Sequence, residues 1–443
     1  MNLFNPQLMP KLSYSEQISK WFPSDIASLE INSHYCKTYT FQITEDCNLR
    51  CSYCYQINKS KKVMSFETAK RAVDCIFKDN RKIENYYSLD SMDGIILDFI
   101  GGEPLLEIDL IDKIVDYFVQ QAYKFKSHLA YRFMISISTN GTLYDTPKVQ
   151  SFIKKWRPKL SLSISLDGCK ELHDSCRVFP DGKGSYDLAE YAAKQELLRN
   201  PLLSTKMTFA PENIRYVPEA IRNLVSIGYK VIFCNCVFEN VWHDEDAPLF
   251  YFKLKETADF LLTLSDIPII SIFSLSCGHF LDENENRNYC GGNGLMLCVN
   301  PDGNFYPCQR FTEVSLGNDA QPYIIGNVDE GIGIKEDEIQ RINCLSCITR
   351  RSQSTDECFN CSIASECAWC TAYNYQVFGT PDKRATFICP MHKARVMANC
   401  YFWNSLFKLS GSKRRFKLNL DDKSCLKIID EKELSLLREL ESE

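Results

Sequence analysis

The segment TEDCNLRCSYCYQ, residues 44–56, places three thiols, Cys47, Cys51 and Cys54, within eight positions. A closed tetrahedral zinc site takes four ligands, and a redox pair needs two thiols. Three thiolates leave one coordination position open, and an open position on a metal is where a substrate or cofactor binds. The spacing of three residues and then two suits three irons of a [4Fe–4S] cluster, with the fourth iron free for a bidentate ligand. The Cys51–Cys54 pair taken alone also suits a redox pair or half a zinc site.

Cysteine is concentrated again further along. Cys290 is followed by twelve residues, Gly303, four residues and Cys308. CFNCSIASECAWC supplies Cys358-x2-Cys361-x5-Cys367-x2-Cys370, Cys389 follows, and NCLSCITRR adds Cys344 and Cys347. The chain has 22 cysteines and six histidines in 443 residues. Its N-terminus has no basic segment followed by an apolar run, so no secretory signal is expected and the expected compartment is the reducing cytoplasm. Dense cysteine there points to metal or catalysis rather than disulfides. An all-thiolate set suits zinc or iron–sulfur clusters. Cys75 falls on the apolar face of an expected helix. Cys36, Cys169, Cys176, Cys234, Cys236, Cys400 and Cys425 have no partner spacing and read as small buried hydrophobes.

The chain is 45% apolar and 24% charged, with a net charge of −6. That points to a globular protein and away from a broad nucleic-acid surface. No apolar run is long enough to cross a membrane. Neither nucleic acid nor membrane is therefore an expected partner.

The elements that must position the thiols follow a rhythm. Apolar periodicity predicts strands at 39–44, 94–102, 132–141, 159–168, 205–211 and 230–239. Helices are expected at 65–79, 107–125, 146–156, 185–200 and 214–228, with Ser185 as an N-cap. Such alternation means an α/β fold of parallel strands with right-handed crossovers. An open Rossmann-like sheet and a barrel both fit; a partial (β/α)6 TIM-like barrel is favoured. TEDCNLRCSYC follows the first strand, GGEP the second, STNG ends the third and SLDG the fourth. All lie at the C-terminal ends of strands, where ligands collect. Residues 1–38 read as an N-terminal extension and 39–274 as the barrel. In 275–402 turn signals such as NPDGN replace the rhythm, and a small metal-stapled module with a thin apolar core is expected. Residues 403–443 form a helical, basic tail with Lys413, Arg414, Arg415 and Lys417.

CNLRCSYC resembles the C-x3-C-x2-C signature of the radical S-adenosylmethionine (SAM) enzymes, with an aromatic, Tyr53, before the third cysteine. The resemblance implies that Cys47, Cys51 and Cys54 hold a [4Fe–4S] cluster whose open iron takes the amino and carboxylate groups of SAM. It further implies one-electron cleavage of the sulfonium C–S bond, giving a 5′-deoxyadenosyl radical that takes a hydrogen atom from the substrate. The protein's part is then to place the reactive carbon against one C–H and to exclude water. GGEP, with Gly101, Gly102 and Glu103, resembles the loop that binds the methionyl amino group. Glycines permit close backbone approach, and a carboxylate can accept hydrogen bonds from an ammonium. Thr139 and Asn140, and Ser165 and Asp167, resemble positions that line the ribose and methionyl groups. Arg177 resembles the arginine that reaches the methionyl carboxylate. Each of these, taken singly, is also an ordinary turn residue; their joint placement at one sheet face favours the site.

The later cysteines resemble the SPASM extension of these enzymes, a C-terminal module holding two auxiliary [4Fe–4S] clusters. The resemblance implies Cys290, Cys308 and Cys370 as ligands of the first, and Cys358, Cys361, Cys367 and Cys389 of the second. Cys277, Cys298, Cys344, Cys347 or a substrate thiolate at an open iron are candidates for the remaining ligand. This chain departs from the pattern in having two residues, Ala368 and Trp369, rather than three before Cys370. Structural zinc is the competing reading of the same pairs.

Enzymes of this build mostly modify peptides or proteins. Sulfatase-maturating members carry an aspartate base directly after the cysteine that matches Cys308. Here Gln309 stands there, and a glutamine cannot act as a general base. FQITEDCNLRCSYCYQINK, CRVFPDGKGSYD and CITRRSQSTDECFNC resemble peptide maturases paired with short precursors bearing CXXX repeats. That implies a cysteine-rich, ribosomally made precursor peptide as partner and thioether cross-links as product. It also implies a one-electron donor such as flavodoxin or ferredoxin. The alternatives are a sulfatase-maturating type of enzyme acting on a folded or nascent protein, and a non-catalytic zinc-binding module. The N-terminal extension looks too short for a leader-binding winged-helix domain, so the precursor is expected on a sheet edge or on the basic tail.

Overall fold

The computed structural model describes residues 36–89, 94–286, 288, 290–317, 320–411 and 415–442. The expected N-terminal extension lies almost wholly outside the described residues, as do Lys413 and Arg414. The chain opens with β1 (Lys37–Thr44), β2 (Arg50–Cys51), α1 (Phe66–Phe77), β3 (Ile95–Gly101) and α2 (Ile108–Lys124). There follow β4 (Phe133–Thr139), α3 (Pro147–Trp156), β5 (Leu160–Ile164), α4 (Lys170–Cys176) and β6 (Arg177–Val178). Next come α5 (Tyr186–Arg199), β7 (Ser204–Phe209), α6 (Val217–Ile227), β8 (Val231–Cys236), α7 (Asp246–Leu262) and β9 (Ile269–Ile270).

Successive strand residues face opposite sides, and the burial follows that period. Tyr39, Phe41 and Ile43 of β1, Leu97 and Phe99 of β3, and Ile135 and Ile137 of β4 are fully buried under the helices. Among the intervening residues, the polar ones in the middle of the strands are set in one row by the parallel register. Thr40 pairs with Asp98, Asp98 with Ser136, and Ser136 with Ser161. The helices bury the matching stripes. In α1, Ser65 caps the N-terminus by accepting from the Thr68 N–H, and Ala69, Ala72, Val73 and Ile76 lie inward at helical spacing. Thr205 Oγ1 ties β7 to β5 by donating to the carbonyls of Ile164 and Leu166 at 3.3 and 3.2 Å. β7 then pairs in parallel with β8. Strands β1, β3, β4, β5, β7 and β8 with their helices are the expected partial (β/α)6 barrel.

The cysteine-rich part is built onto the barrel. β10 (Met296–Val299) pairs in parallel with β1, Thr40 opposite Cys298. β11 (Asn304–Tyr306), β12 (Gly326–Asn327) and β13 (Gly331–Ile332) continue antiparallel. The result is one sheet in the order β13-β12-β11-β10-β1-β3-β4-β5. Leu297, Cys298, Val299 and Phe305 are completely buried within it. The core that looked thin in sequence is therefore shared with the barrel. Three longer helices follow β13: α8 (Glu336–Ser346), α9 (Thr371–Phe378) and α10 (Cys389–Ser410). α10 runs across the expected division at 402/403 and packs on α7 and on α11 (Glu431–Ser442). Among the described residues no helix is long and apolar enough to cross a membrane.

Phe99 is wholly buried and stacks on Phe41 with ring centroids 5.3 Å apart. Phe99→Ala is expected to cost about 3–5 kcal/mol, read as a lower urea midpoint by circular dichroism.

Candidate active site

The cysteine loop begins where β1 ends, and three neighbouring loops hold it. The N–H groups of Gly102 and Glu103 donate to the carbonyls of Thr44 and Asp46 at 3.0 and 2.9 Å. Gly102 is required there. A Cβ would stand 2.1 Å from the Asp46 oxygen and 2.8 Å from Cys47 Cβ. From the β4 loop, the Asn140 amide donates to Asn48 Oδ1, and Asn48 donates to Thr142 Oγ1, each at 2.8 Å. On the third side β2 pairs with β6, which sets Cys51 opposite Arg177. Burial pushes the Cys47 and Cys51 thiols up, and each is pushed further by Cys54. Arg177 Nη1 stands 3.9 Å from Cys51 Sγ and acts in the opposite direction. The three thiols thus lie within electrostatic reach of one another.

Glu103 is 1% exposed. Its carboxylate accepts from Thr139 Oγ1 at 2.6 Å, the Asn140 N–H at 2.8 Å and the Leu105 N–H at 3.0 Å. Burial raises its pKa against these hydrogen bonds, which favour the ionised form. A carboxylate offers about four acceptor sites, so one remains for an ammonium. Glu103 is first of all a strut joining the β3 and β4 loops. Ser165 donates its N–H to the Thr139 carbonyl at 2.8 Å. Asp167 Oδ2 accepts from Arg177 Nε at 2.7 Å and from the Tyr53 hydroxyl. Arg177 also lies over the Tyr53 ring at 5.3 Å. Asp167 Oδ1 is buried without a hydrogen-bond partner. An orphaned acceptor in a pocket of this kind fits a hydroxyl or ammonium donor from a ligand.

One residue, His173, escaped the sequence reading here. His173 Nδ1 accepts from the Asp167 N–H at 3.4 Å, and its Nε2 lies 3.0 Å from Ser185 Oγ. Ser185 in turn donates to the Arg177 carbonyl at 2.8 Å. Ser185 stands at the expected N-cap position of α5, but its hydroxyl makes no cap hydrogen bond. Its hydroxyl closes this chain instead, and the Tyr186 N–H bonds to Asp174 Oδ1 at 2.8 Å. Burial lowers the His173 pKa to about 4, so the ring is a neutral link between Asp167 and Arg177.

The later cysteines fall into two groups. Burial pushes the Cys308 thiol up, and Cys290 and Cys370 push it further. Burial likewise raises Cys367, with Cys389, Cys361 and Cys358 adding to it. Cys298 is buried beside Cys308, whereas Cys277 neighbours Cys367. Cys344 and Cys347 stand apart near Tyr323. Arg384 donates to Cys367 Sγ at 2.9 Å, and Arg310 bears on Cys370. Among the described residues no three His, Cys, Asp or Glu side chains converge as ligands of one metal ion. A cluster reached through separate irons does not need that convergence.

Between the first thiol loop and the Cys308 group lies Tyr55, whose buried hydroxyl feels both Cys54 and Cys308. Arg310 covers its ring at 4.9 Å and pairs with Glu239 at 2.9 Å. The face of the sheet away from the helices carries a polar row. That row is Thr40, Asp98, Ser136 and Ser161, with Thr40 Oγ1 donating to Asp98 at 3.2 Å. Gln42 is buried there with both amide atoms unpartnered. Only strand alternation in the sequence could have pointed to these lumen residues.

The radical SAM superfamily profile matches residues 41–233. An uncharacterized protein of Methanocaldococcus jannaschii is 28% identical over 319 residues, 70% of this chain and 95% of that protein. The solved structure of native anSMEcpe with bound AdoMet and the Kp18Cys peptide covers 85% of this chain and 99% of its own, with 19% identity and a TM-score of 0.59. Streptococcus suis SuiB bound to precursor peptide SuiA covers 79% of this chain and 75% of its own, with 12% identity and a TM-score of 0.51. The orphaned Asp167 oxygen, the glycine cradle at Gly102 and the thiol trio fit a [4Fe–4S] cluster bearing SAM.

Glu103→Gln places an NH2 against one of three donors. Leaving one donor unpaired is expected to weaken SAM binding about tenfold, measured by equilibrium dialysis, with iron content unchanged. A second expectation concerns acid stability. His173 and His392 both titrate near 4 when folded, against an ordinary value near 6.5. Between those values the unfolded chain holds the extra protons, so stability falls as pH drops from about 6.5 to about 4 and levels off below. His173→Gln is expected to make that fall in the urea midpoint shallower.

Proposed function

We propose that this chain, a radical SAM enzyme whose catalytic domain is the barrel at residues 41–233, is a peptide maturase. Its substrate would be a ribosomally made, cysteine-rich precursor, and its product a thioether cross-link. The observation that carries this reading is the position of Tyr55. It lies under Arg310 at 4.9 Å and within electrostatic reach of both Cys54 and Cys308. A substrate there would meet both. The later cysteines support a SPASM module with two auxiliary clusters, Cys290, Cys308 and Cys370 at one and Cys358, Cys361, Cys367 and Cys389 at the other. Solved neighbours of this fold carry bound peptides.

SAM on a reduced cluster supplies a primary carbon radical that removes one hydrogen atom from a substrate C–H. The chain's own residues do the rest. Glu103, Thr139 and Asn140 fix the loops that frame SAM. Arg177, held by Asp167 and by the His173–Ser185 chain, presents its remaining guanidinium N–H groups to a carboxylate. The buried walls exclude water from a reactive intermediate. Forming C–S from C–H and S–H removes two hydrogens from the peptide. One leaves as the abstracted atom. The other would leave as a proton from the thiol, and a cluster held by Cys290, Cys308 and Cys370 would supply the acceptor for the remaining electron.

Formylglycine formation is the weaker reading. Gln309 stands where the aspartate base would be, and its Oε1 is buried without a partner.

The test is iron and sulfide content after anaerobic reconstitution, in wild type and in the Cys47→Ala/Cys51→Ala/Cys54→Ala variant. About twelve irons, falling by about four, are expected for three cubane clusters on thiolates. Incubation with a CXXX-repeat peptide under reducing conditions should then remove two hydrogens per cross-link by mass spectrometry. Zinc without iron would sink the reading.

A further inference from the structure

The lumen contains a charge that nothing described so far uses. Lys206 sits in the middle of β7, between Thr205 and Met207, which are both buried toward the helices at 1% exposure. Strand alternation therefore turns Lys206 to the inner face. Its register partner is Phe233 of β8, whose ring is 42% exposed within the open lumen. Among the described residues no carboxylate lies within ion-pair distance of Lys206, and nothing accepts a hydrogen bond from it. The surroundings lower its pKa, first by burial and then through the Arg310 charge, with Cys370 acting the other way. Lys206 and Arg310 thus stand in one region, close to Cys370.

The anions of that region are accounted for. Glu239 pairs with Arg310 at 2.9 Å. Asp98, across the lumen, accepts from Thr40 and Ser136, and burial raises its pKa. Lys206 is left as an exposed ammonium on the inner face without a counter-ion among the described residues. An unpaired ammonium and an exposed aromatic ring side by side on an inner face leave both a charge and an apolar surface free for a ligand. An acidic ligand entering the lumen would answer both. The ammonium would receive its counter-charge, and Phe233 would cover the methylenes of the ligand's side chain.

We infer that Lys206, flanked by Phe233 and Arg310, forms a carboxylate-binding subsite in the barrel lumen that selects an acidic residue in the peptide substrate. This inference rests on the peptide-maturase reading and adds the side-chain class that the site takes. The recognised group is a carboxylate, supplied by an aspartate or glutamate side chain or by a free peptide C-terminus. Lys206 would be a specificity residue. It touches substrate away from the reacting atoms, so no bond is made or broken at it.

The test uses the reconstituted holoenzyme with SAM and three short probe peptides. The first is acetyl-Ala-Glu-Ala-Cys-Ala-amide. The second has glutamine in place of glutamate. The third has that glutamine and a free C-terminal carboxylate. Affinity is read by isothermal titration calorimetry, alongside iron content and the cluster's absorption spectrum. Wild type is expected to bind the glutamate peptide about tenfold more tightly than the glutamine amide, the scale of one charge-assisted hydrogen bond. Lys206→Met should abolish that preference and leave the affinity for the glutamine amide unchanged. Lys206→Arg should keep it. Tight binding of the third peptide alone would assign the subsite to a C-terminus.

Equal affinity of wild type for all three peptides, including no binding to any, overturns the subsite. So does a Lys206→Met variant that weakens all three alike or changes iron content and spectrum, which would make Lys206 a counter-charge for the Cys370 thiolate only. Failure of the maturase reading shows separately, as a peptide that binds and keeps its mass.

Discussion

Buried thiols resist ionisation, yet a thiol must ionise to hold iron. That conflict shapes the whole site. Burial pushes up Cys47, Cys51, Cys308, Cys367, Cys370 and Cys389. Within each group every thiol that ionises makes the next one harder. The chain answers with one arginine per group. Arg177 stands 3.9 Å from Cys51, Arg384 donates to Cys367 at 2.9 Å, and Arg310 bears on Cys370. Arginine suits this use because it stays charged when buried. Each is also fixed by a second contact: Arg177 by Asp167, Arg310 by Glu239, and Arg384 by the Trp369 ring at 4.5 Å. The guanidinium groups soften the burial cost, and bound metal would supply the rest.

The first arginine also explains why the SAM-side loops form a unit. Arg177 follows α4, and its backbone in β6 pairs with the cysteine loop. Its side chain meets Asp167 in the loop that follows β5. Its carbonyl receives Ser185, and Ser185 meets His173. Moving any one of these would move Cys51. On the opposite side Glu103 does the equivalent for Asn140, and Asn140 holds Asn48. The loop carrying the thiols has little hydrophobic core of its own. Its position is set by polar contacts with the ends of β3, β4 and β5.

The alternating elements, the parallel sheet and the motifs at its C-terminal ends were legible in the sequence because strand and helix periods are local properties. The addition of β10 to β1 was not. It joins residues more than 250 positions apart in the chain, and no local period encodes that contact. Ser185 shows the same limit at small scale. A serine before a helix reads as a cap, but a buried histidine twelve residues earlier competes for the hydroxyl and wins. Lys206 and Arg310 could not be paired from sequence at all, since β7 and the loop after β11 meet only across the lumen.

One signal in the sequence did foretell that lumen. Parallel strands buried on both faces are usually near-continuous apolar runs. Here KLSLSIS and RFMISIST alternate instead, with Leu162, Ile164, Ile135 and Ile137 buried and Ser161, Ser136 and Ser138 on the other face. A barrel filled by its own side chains would put branched apolar residues at those serine positions. Small hydroxyl residues occupy little volume and leave donors and acceptors facing inward. The interior is therefore a space for another molecule, and its chemistry is set by the few larger groups that reach into it: Gln42, Asp98, Tyr55, Arg310 and Lys206.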